Sequence, residues 1–332
     1  MLGWGIIGTG DISDRVVSDL VSSSDATVTA VWGRSTDRAH GFAGRYGIPF
    51  ATATLDELFA RADVEVVYIA TPAHTHAEIA IEALQAGKHV LIEKPVTTSA
   101  ADARRVYAEA ARAGRFAMEA MWMRFNPLHV EVLDRIRDGL LGEITSVRAS
   151  FGTPFQPRER VLSPAQGGSI LRDRGIYPVT LAHWFLGDPL SLMAAGAFED
   201  GVDIEGHATF EFAEAFAHLA WSGVRFLDLS ATVSGERGWI TLDPMFWAGT
   251  RARVHAGGVE RIFGSPELVE HPRVGNGYGP MLKAVTEAIA GARLEHAWHT
   301  HADSIAITTT LDAADETMRN SELLKVPSIS AD

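Results

Sequence analysis

Short apolar runs alternate with helix-periodic stretches over the first 125 residues. The runs GWGIIG, TVTAVWG, VEVVYIAT, KHVLIEK and RFAMEA are too short for helices and read as strands. The segments around 11–23, 36–46, 74–86 and 100–113 read as helices. Such alternation, with apolar strands, predicts a parallel sheet covered on both faces. End signals sharpen the picture. Ser99 and Asp102 form an S-x-x-D cap ahead of AADARRVYAEAARA, and Gly114 stops that helix. Asn126 and Pro127 supply an N-cap and first turn for PLHVEVLDRIRD, which closes the first domain near Gly139.

From about residue 143 the pattern changes. EITSVRASFG, ATFEFA, AFAHLAWSG, DLSATVSG and GWITLD suit strands of an antiparallel sheet, separated by turn residues. A helical stretch, GGSILRDRGIYPVTLAHWFLG, interrupts them, and two more helices are expected near 279–291 and 299–319. The expected fold class is α/β. Its first part is a doubly wound dinucleotide-binding domain over 1–125, with a last helix reaching about 140. Its second is an α+β substrate and oligomerisation domain over 126–332, built on a large, mostly antiparallel sheet. Alternating apolar residues in HATFEFAEAFAHLAWSG predict that the sheet face not covered by helices is apolar and packs on a second subunit. A homodimer or homotetramer through that sheet is expected.

Composition then excludes several classes. The chain has 332 residues, enough for about two domains, with 46% hydrophobic and 21% charged residues. A formal net charge of −13 argues against nucleic acid and anionic membrane as partners, but not against a small anionic ligand. Without cysteine there is no disulfide, thiol nucleophile or zinc-thiolate site. The start MLGWGIIGTG lacks a basic n-region, and no apolar run reaches the roughly 20 residues of a membrane span. A cytoplasmic protein acting on a small molecule is expected.

The first strand runs directly into Gly8, Thr9, Gly10, Asp11, Ile12 and Ser13 at the mouth of a helix, the context a dinucleotide site requires. Gly8 makes the tight turn, and Gly10 lets the backbone approach a pyrophosphate at the helix N-terminus. Ser13, still small, replaces the third glycine. An NAD site usually offers a carboxylate to the ribose about 20 residues further on. Here the second strand ends in Trp32-Gly33-Arg34-Ser35. Arg34 and Ser35, with Thr36 and Arg38 nearby, suit a 2′-phosphate instead, so NADP is expected over NAD. The plainer reading of Arg34 is a solvated loop charge.

Two further strands, VVYIATPAHTH and VLIEKP, end on the same rim. Thr71, Pro72 and His76 follow the first; Glu93, Lys94 and Pro95 follow the second. Lys94 is expected beside the nicotinamide, with Glu93 orienting it and Pro95 stiffening the turn. With Gly8-Thr9-Gly10, the stretch ATPAHTHAEIAIEALQAGKHVLIEKP and the D-x-G-x-Y motif in GGSILRDRGIYPVTLAHWFLG, the whole chain resembles the Gfo/Idh/MocA oxidoreductases. EAMWMRFNP and the Tyr of DRGIYP are most similar to the dihydrodiol dehydrogenase and NADP-linked D-xylose dehydrogenase branch.

The resemblance implies hydride transfer between NADP and a hydroxyl of a sugar, polyol or diol. It implies Lys94 and Tyr177 as an acid/base pair, with Asp173 orienting Lys94 or binding a substrate hydroxyl. A phenol titrates near about 10, and an adjacent cation is expected to lower that value. Trp122, Arg124, Phe125 and Arg172 are candidate substrate contacts. Ala73 stands where relatives commonly carry Asn, and Arg172 and Arg174 flank Asp173 where apolar residues are common. At least one of these arginines is expected on a solvated helix face. His183 reads as structural. His296, His299 and His301 lack metal-ligand spacing, so no metal is expected. The alternatives are a keto-sugar reductase of the same family and a catalytically silent NADP-binding regulator.

Overall fold

The N-terminal strands are apolar because both their faces are covered. The computed structural model describes residues 1–154, 163–257 and 264–320. Strands β1 (Leu2–Ile7), β2 (Ala26–Trp32), β3 (Phe50–Thr52), β4 (Val66–Ile69), β5 (His89–Ile92) and β6 (Ala117–Glu119) form a parallel sheet in the order β3-β2-β1-β4-β5-β6. The order reverses between β1 and β4, which opens a crevice at their carboxyl ends. Helices α1 (Asp11–Val21), α2 (Thr36–Tyr46), α3 (Leu55–Phe59), α4 (His76–Gln85) and α5 (Ala100–Ala113) connect the strands. The expected caps are present. Ser99 accepts from the Asp102 amide, and Gly114 is left-handed after α5. Asn126 accepts from the Leu128 amide at the start of α6 (Pro127–Arg137).

Two apolar layers sandwich this sheet. On one face Ile7, Val67 and Val90 pack with Ala80 and Leu84 of α4 and Val106 of α5. On the other face Trp4, Ile6 and Phe116 pack with Val16 and Leu20 of α1. That second layer is completed from far along the chain: Met281, Leu282 and Val285 of α8 (Gly279–Ala290) join it.

The second sheet has eight strands in the order β14-β13-β12-β11-β7-β10-β9-β8. They are β7 (Ile144–Gly152), β8 (Ser191–Glu199), β9 (Val202–Glu211), β10 (Phe216–Ser222), β11 (Ala231–Gly235), β12 (Gly238–Leu242), β13 (Arg251–Ala256) and β14 (Glu267–Glu270). Neighbours are antiparallel except β7 and β10, which are parallel. Helices α7 (Ile176–Leu186) and α9 (His301–Asn320) share one core with Phe210, Leu219 and Trp221 of this sheet. Close approach of α9 requires Gly196 and Gly206, where an added Cβ would lie 2.7 and 2.8 Å from the Met318 sulfur.

The open face differs from the sequence expectation. Of the apolar residues in HATFEFAEAFAHLAWSG, Ala208, Phe210, Ala217, Leu219 and Trp221 are buried in the shared core, whereas Phe216 is 44% exposed on the opposite face. Across the opposite face, paired positions read Met193, Thr209, His218, Arg148, Thr232, Thr241, Arg253 and Leu268. Only the two ends of that row are large and apolar. A period of two tells which residues share a face but not which face is covered. Sequence patterning also missed β3, β8, β13, β14 and α3. Of these, β3, β14 and α3 have three to five residues, and β8 is rich in Ala and Gly.

Candidate active site

The turn after β1 shows why two glycines stand there. Gly8 has φ +120°, and a Cβ on it would lie 2.7 Å from the Ala70 carbonyl oxygen. Gly10 is the N-cap of α1 with no side-chain cap, and a Cβ on it would meet nothing within 4 Å. Open space therefore faces the first amides of α1, while Thr9 beside them is half-buried and Ser13 is fully buried. That cradle fits a pyrophosphate on a helix N-terminus. Past β2, Arg34 and Arg38 are exposed, and Ser35 caps α2 by accepting from the Arg38 amide. These three stand at the neighbouring strand end, outside the main cleft.

That cleft, about 300 Å³, lies at the carboxyl rim of the parallel sheet and gathers residues from both sheets. Asp11, Ile12, Thr71, Pro72 and His76 line one side, with Ala73 in a short turn beside them. Glu93 and Lys94 form the floor. The Lys94-Pro95 peptide bond is cis. Facing them is a π-helical turn, Leu171–Gly175, which leads into α7. The Lys94 ammonium donates to the Asp173 carbonyl at 2.8 Å and to its carboxylate at 2.9 Å. It also lies over the Tyr177 ring, 5.1 Å from the centroid. Trp122, in the turn after β6, donates its indole N–H to the Tyr177 oxygen at 3.1 Å. Lys94, Asp173 and Tyr177 thus converge as expected, but the Lys94 ammonium is placed against the phenol ring.

Burial governs the protonation states. It works against the Lys94 charge, yet Asp173, with Tyr177 and Glu93, holds that ammonium well above the usual lysine range. Burial pushes the Glu93 carboxyl up to about 7, against the pull of Lys94 and the hydrogen bond from Tyr68. It also raises the Tyr177 phenol, and Lys94 only partly offsets this. The expectation of a lowered phenol is therefore corrected: desolvation outweighs the cation, and Tyr177 keeps its proton at neutral pH. The His76 ring sits between the Pro95 and Thr71 carbonyl oxygens, at 3.0 and 2.9 Å, and burial lowers its pKa. It is tied to backbone while lining the cleft.

Two proposed substrate contacts lie elsewhere. The Arg124 guanidinium is buried against Asp303 at 3.1 Å and His299 at 3.0 Å. Phe125 packs on His296 and Trp298. Neither lines the cleft. Arg172 does, and it pairs with Asp312 of α9 at 2.8 Å. Arg174 is buried and donates to the carbonyls of Thr153 and Ser222. Neither arginine is therefore a solvated charge. His183 bridges Asp188 and Thr310. Among the described residues no group of three potential ligand side chains is placed to hold a metal, and no helix is long and apolar enough to cross a membrane.

Sequence reasoning missed the aromatic wall. Phe151 and Trp247 stack at 3.7 Å within reach of Tyr177, and Tyr278 packs on Trp122 at 5.0 Å. Arg15 and residues 166–169 complete the lining. Phe151 ends a strand that had been identified, so its position was the one available signal. Trp247 lies in a single 3-10 turn, Phe246–Ala248, and Tyr278 is the residue before α8, and neither carries a sequence pattern.

Known proteins match over most of the chain. A family profile described as "Oxidoreductase family, NAD-binding Rossmann fold" covers residues 2–121, and one for the "GFO/IDH/MocA C-terminal domain" covers 129–241. The trans-1,2-dihydrobenzene-1,2-diol dehydrogenase of Xenopus laevis is 32% identical over 94% of this chain and 97% of its own. The aldose-aldose oxidoreductase of Caulobacter crescentus, solved with glycerol, superposes with a TM-score of 0.86 at 26% identity, covering 98% of this chain and 99% of that one. A 3-ketoreductase from Actinomadura kijaniata, solved with NADP and TDP-benzene, superposes with a TM-score of 0.85 at 30% identity, covering 95% and 97%.

The buried Glu93 yields a pH prediction. Its folded pKa of about 7 lies above the ordinary 4.5, so its contribution to stability is full below pH 4.5 and is lost as pH rises through 7. Relative to Glu93→Gln, the parent should lose on the order of 1–3 kcal/mol of unfolding free energy across that window. Urea denaturation of both proteins at each pH checks this; parallel curves would remove the assignment.

Proposed function

Because the chain belongs to the Gfo/Idh/MocA oxidoreductase family, we propose that it is an NADP-dependent enzyme acting on a hydroxyl of a sugar, polyol or diol, or on the matching carbonyl. The observation that carries this reading is the convergence of Lys94, Asp173 and Tyr177 at the rim of a dinucleotide-type sheet. In this reading residues 1–125 hold the cofactor, and residues 126–332 supply the substrate side.

The bound nicotinamide would accept or deliver the hydride. The chain's own residues handle the proton and the geometry. The backbone at Gly8, Thr9, Gly10, Asp11 and Ile12 holds the pyrophosphate. Arg34, with Ser35 and Arg38, holds the 2′-phosphate at a strand end that has no carboxylate in 32–35. Thr71, Pro72, His76 and Glu93 border the ring site. Tyr177 passes a proton to the substrate oxygen in reduction and takes it back in oxidation. Lys94 stabilises charge developing on that oxygen, and Asp173 holds Lys94 in place. Trp122, Phe151, Trp247 and Tyr278 exclude water around the reacting carbon. Arg172 borders the substrate.

Burial raises the Tyr177 phenol, which suits it to act as the acid in reduction, so a keto-sugar is the second substrate class of this reading. The relatives named above include both a diol dehydrogenase and a 3-ketoreductase. Absence of cysteine suits a reducing, cytoplasmic setting. The Thr- and Arg-bearing outer face of the second sheet, with Met193, Phe216 and Leu268 exposed on it, suits a second copy of the chain.

Lys94→Ala and Tyr177→Phe should each lower turnover by about 100-fold or more while folding normally. NADPH absorbance on a panel of aldoses, polyols, trans-dihydrodiols and keto-sugars reads this; parent-like rates in either variant would refute that residue's role. Tight NADP binding with no turnover on the whole panel would leave the silent regulator. With the parent, any fall of reductive kcat/KM caused by deprotonation of Tyr177 should come above the ordinary tyrosine value of about 10, because burial raises that phenol, and a loss centred below it that Tyr177→Phe abolishes would overturn this. Arg34→Ala should raise KM for NADP about tenfold and leave KM for NAD unchanged; equal effects on both would remove the 2′-phosphate assignment. Light scattering at assay concentration should return at least twice the chain mass, and a monomer would overturn the oligomer.

A further inference from the structure

The Pro95–Val96 peptide unit, directly after Lys94, is bonded to Glu119 through its N–H and faces the His76 ring with its carbonyl. Its carbonyl oxygen lies 3.0 Å from the His76 Nδ1 atom. Its N–H, on Val96, donates to the Glu119 Oε1 atom at 2.8 Å. Glu119 ends β6 and is 1% exposed. Its other oxygen, Oε2, lies 2.8 Å from the His299 Nε2 atom and 3.2 Å from the Ser304 hydroxyl. His299 and Ser304 are equally buried, just before and within α9.

The polarity of this network is fixed. Arg124 can only donate, and it reaches His299 Nδ1 at 3.0 Å, so Nδ1 accepts. The ring proton then sits on Nε2 and points at Glu119. Glu119 must accept at both ends: from a backbone N–H on one oxygen, and from His299 and Ser304 on the other. Only a carboxylate does this. A glutamine of the same shape places an NH₂ against a donor, whichever way it turns.

We propose that Glu119 is a positioning residue for the reaction. It fixes the backbone that carries Lys94 and ties that backbone to α9, which also holds the opposite side of the site through Asp312 and Arg172. Glu119 touches no reacting group and acts through Lys94. The inference rests on the catalytic reading of Lys94 given above.

The test uses the full chain carrying Glu119→Gln, with two readouts. Hydrogen exchange of the Val96 amide needs no substrate and should speed up more than about tenfold, since one network bond has to break. Exchange in β1 should stay at the parent rate. Oxidation of trans-1,2-dihydrobenzene-1,2-diol with NADP, or the best substrate of the panel, should show kcat reduced by about 10- to 100-fold with KM for both ligands within twofold, as expected for a misplaced catalytic group. Parent-like Val96 exchange or parent-like kcat in folded E119Q overturns the proposal. So does a rise in KM alone. If E119Q does not fold, E119D decides by the same criteria, because it keeps the buried charge and its acceptors but is one methylene too short to span both ends. Lys94→Ala is run alongside. An active K94A removes the catalytic reading and this inference with it, whereas an inactive K94A beside a fully active E119Q removes this inference alone.

Discussion

The site depends on one buried cation. An ammonium withdrawn from water is costly unless acceptors and opposite charge replace its hydration. Lys94 comes from the carboxyl rim of the parallel sheet, after β5, and its acceptors come from the π-helical turn that leads into α7 beside the other sheet. The Asp173 side chain is 41% exposed, so water screens part of the attraction. The carbonyl of the same residue shares the load. Stranding such a buried charge typically costs about 3–5 kcal/mol, against roughly 0–1 for an exposed pair such as Lys283 with Glu287. The two sides of the cleft are therefore tied to each other by the same contact that positions the Lys94 ammonium.

Much of that arrangement was legible in the chain. The strand-helix alternation identified the first sheet because both faces of its strands are buried and end signals such as Ser99 and Gly114 are local. Lys94, Asp173 and Tyr177 were found through motifs whose spacing survives translation into sequence. The failures have a common cause. Arg124 and Phe125 sit in the same short segment as Trp122, but the turn after β6 aims Trp122 at the cleft, Arg124 at Asp303 of α9 and Phe125 at His296 and Trp298 before that helix. Sequence spacing cannot resolve that rotation. Tyr278 reaches the site from far along the chain, where Asp19 of α1 accepts the amides of Asn276 and Tyr278 and Trp122 packs on its ring.

The corrected phenol is a lesson in competing magnitudes. Sequence reasoning weighed the Lys94 charge and omitted the desolvation that comes with a residue 6% exposed. The geometry also differs from a direct bond, since the ammonium lies over the ring and the phenol oxygen is occupied by the Trp122 indole. An oxygen that already accepts from an indole has its own hydrogen free to point elsewhere, which is the orientation a proton donor needs.

The return of α8 to the first sheet has a consequence for synthesis on the ribosome. Strands β1 to β6 are complete by residue 119, yet the layer over Trp4, Ile6 and Phe116 waits for Met281, Leu282 and Val285. A growing chain holds that apolar surface open while more than half of its length is still to be made. Under vectorial folding, in which an N-terminal unit matures before the rest emerges, α1 would cover this face only in part until α8 is made.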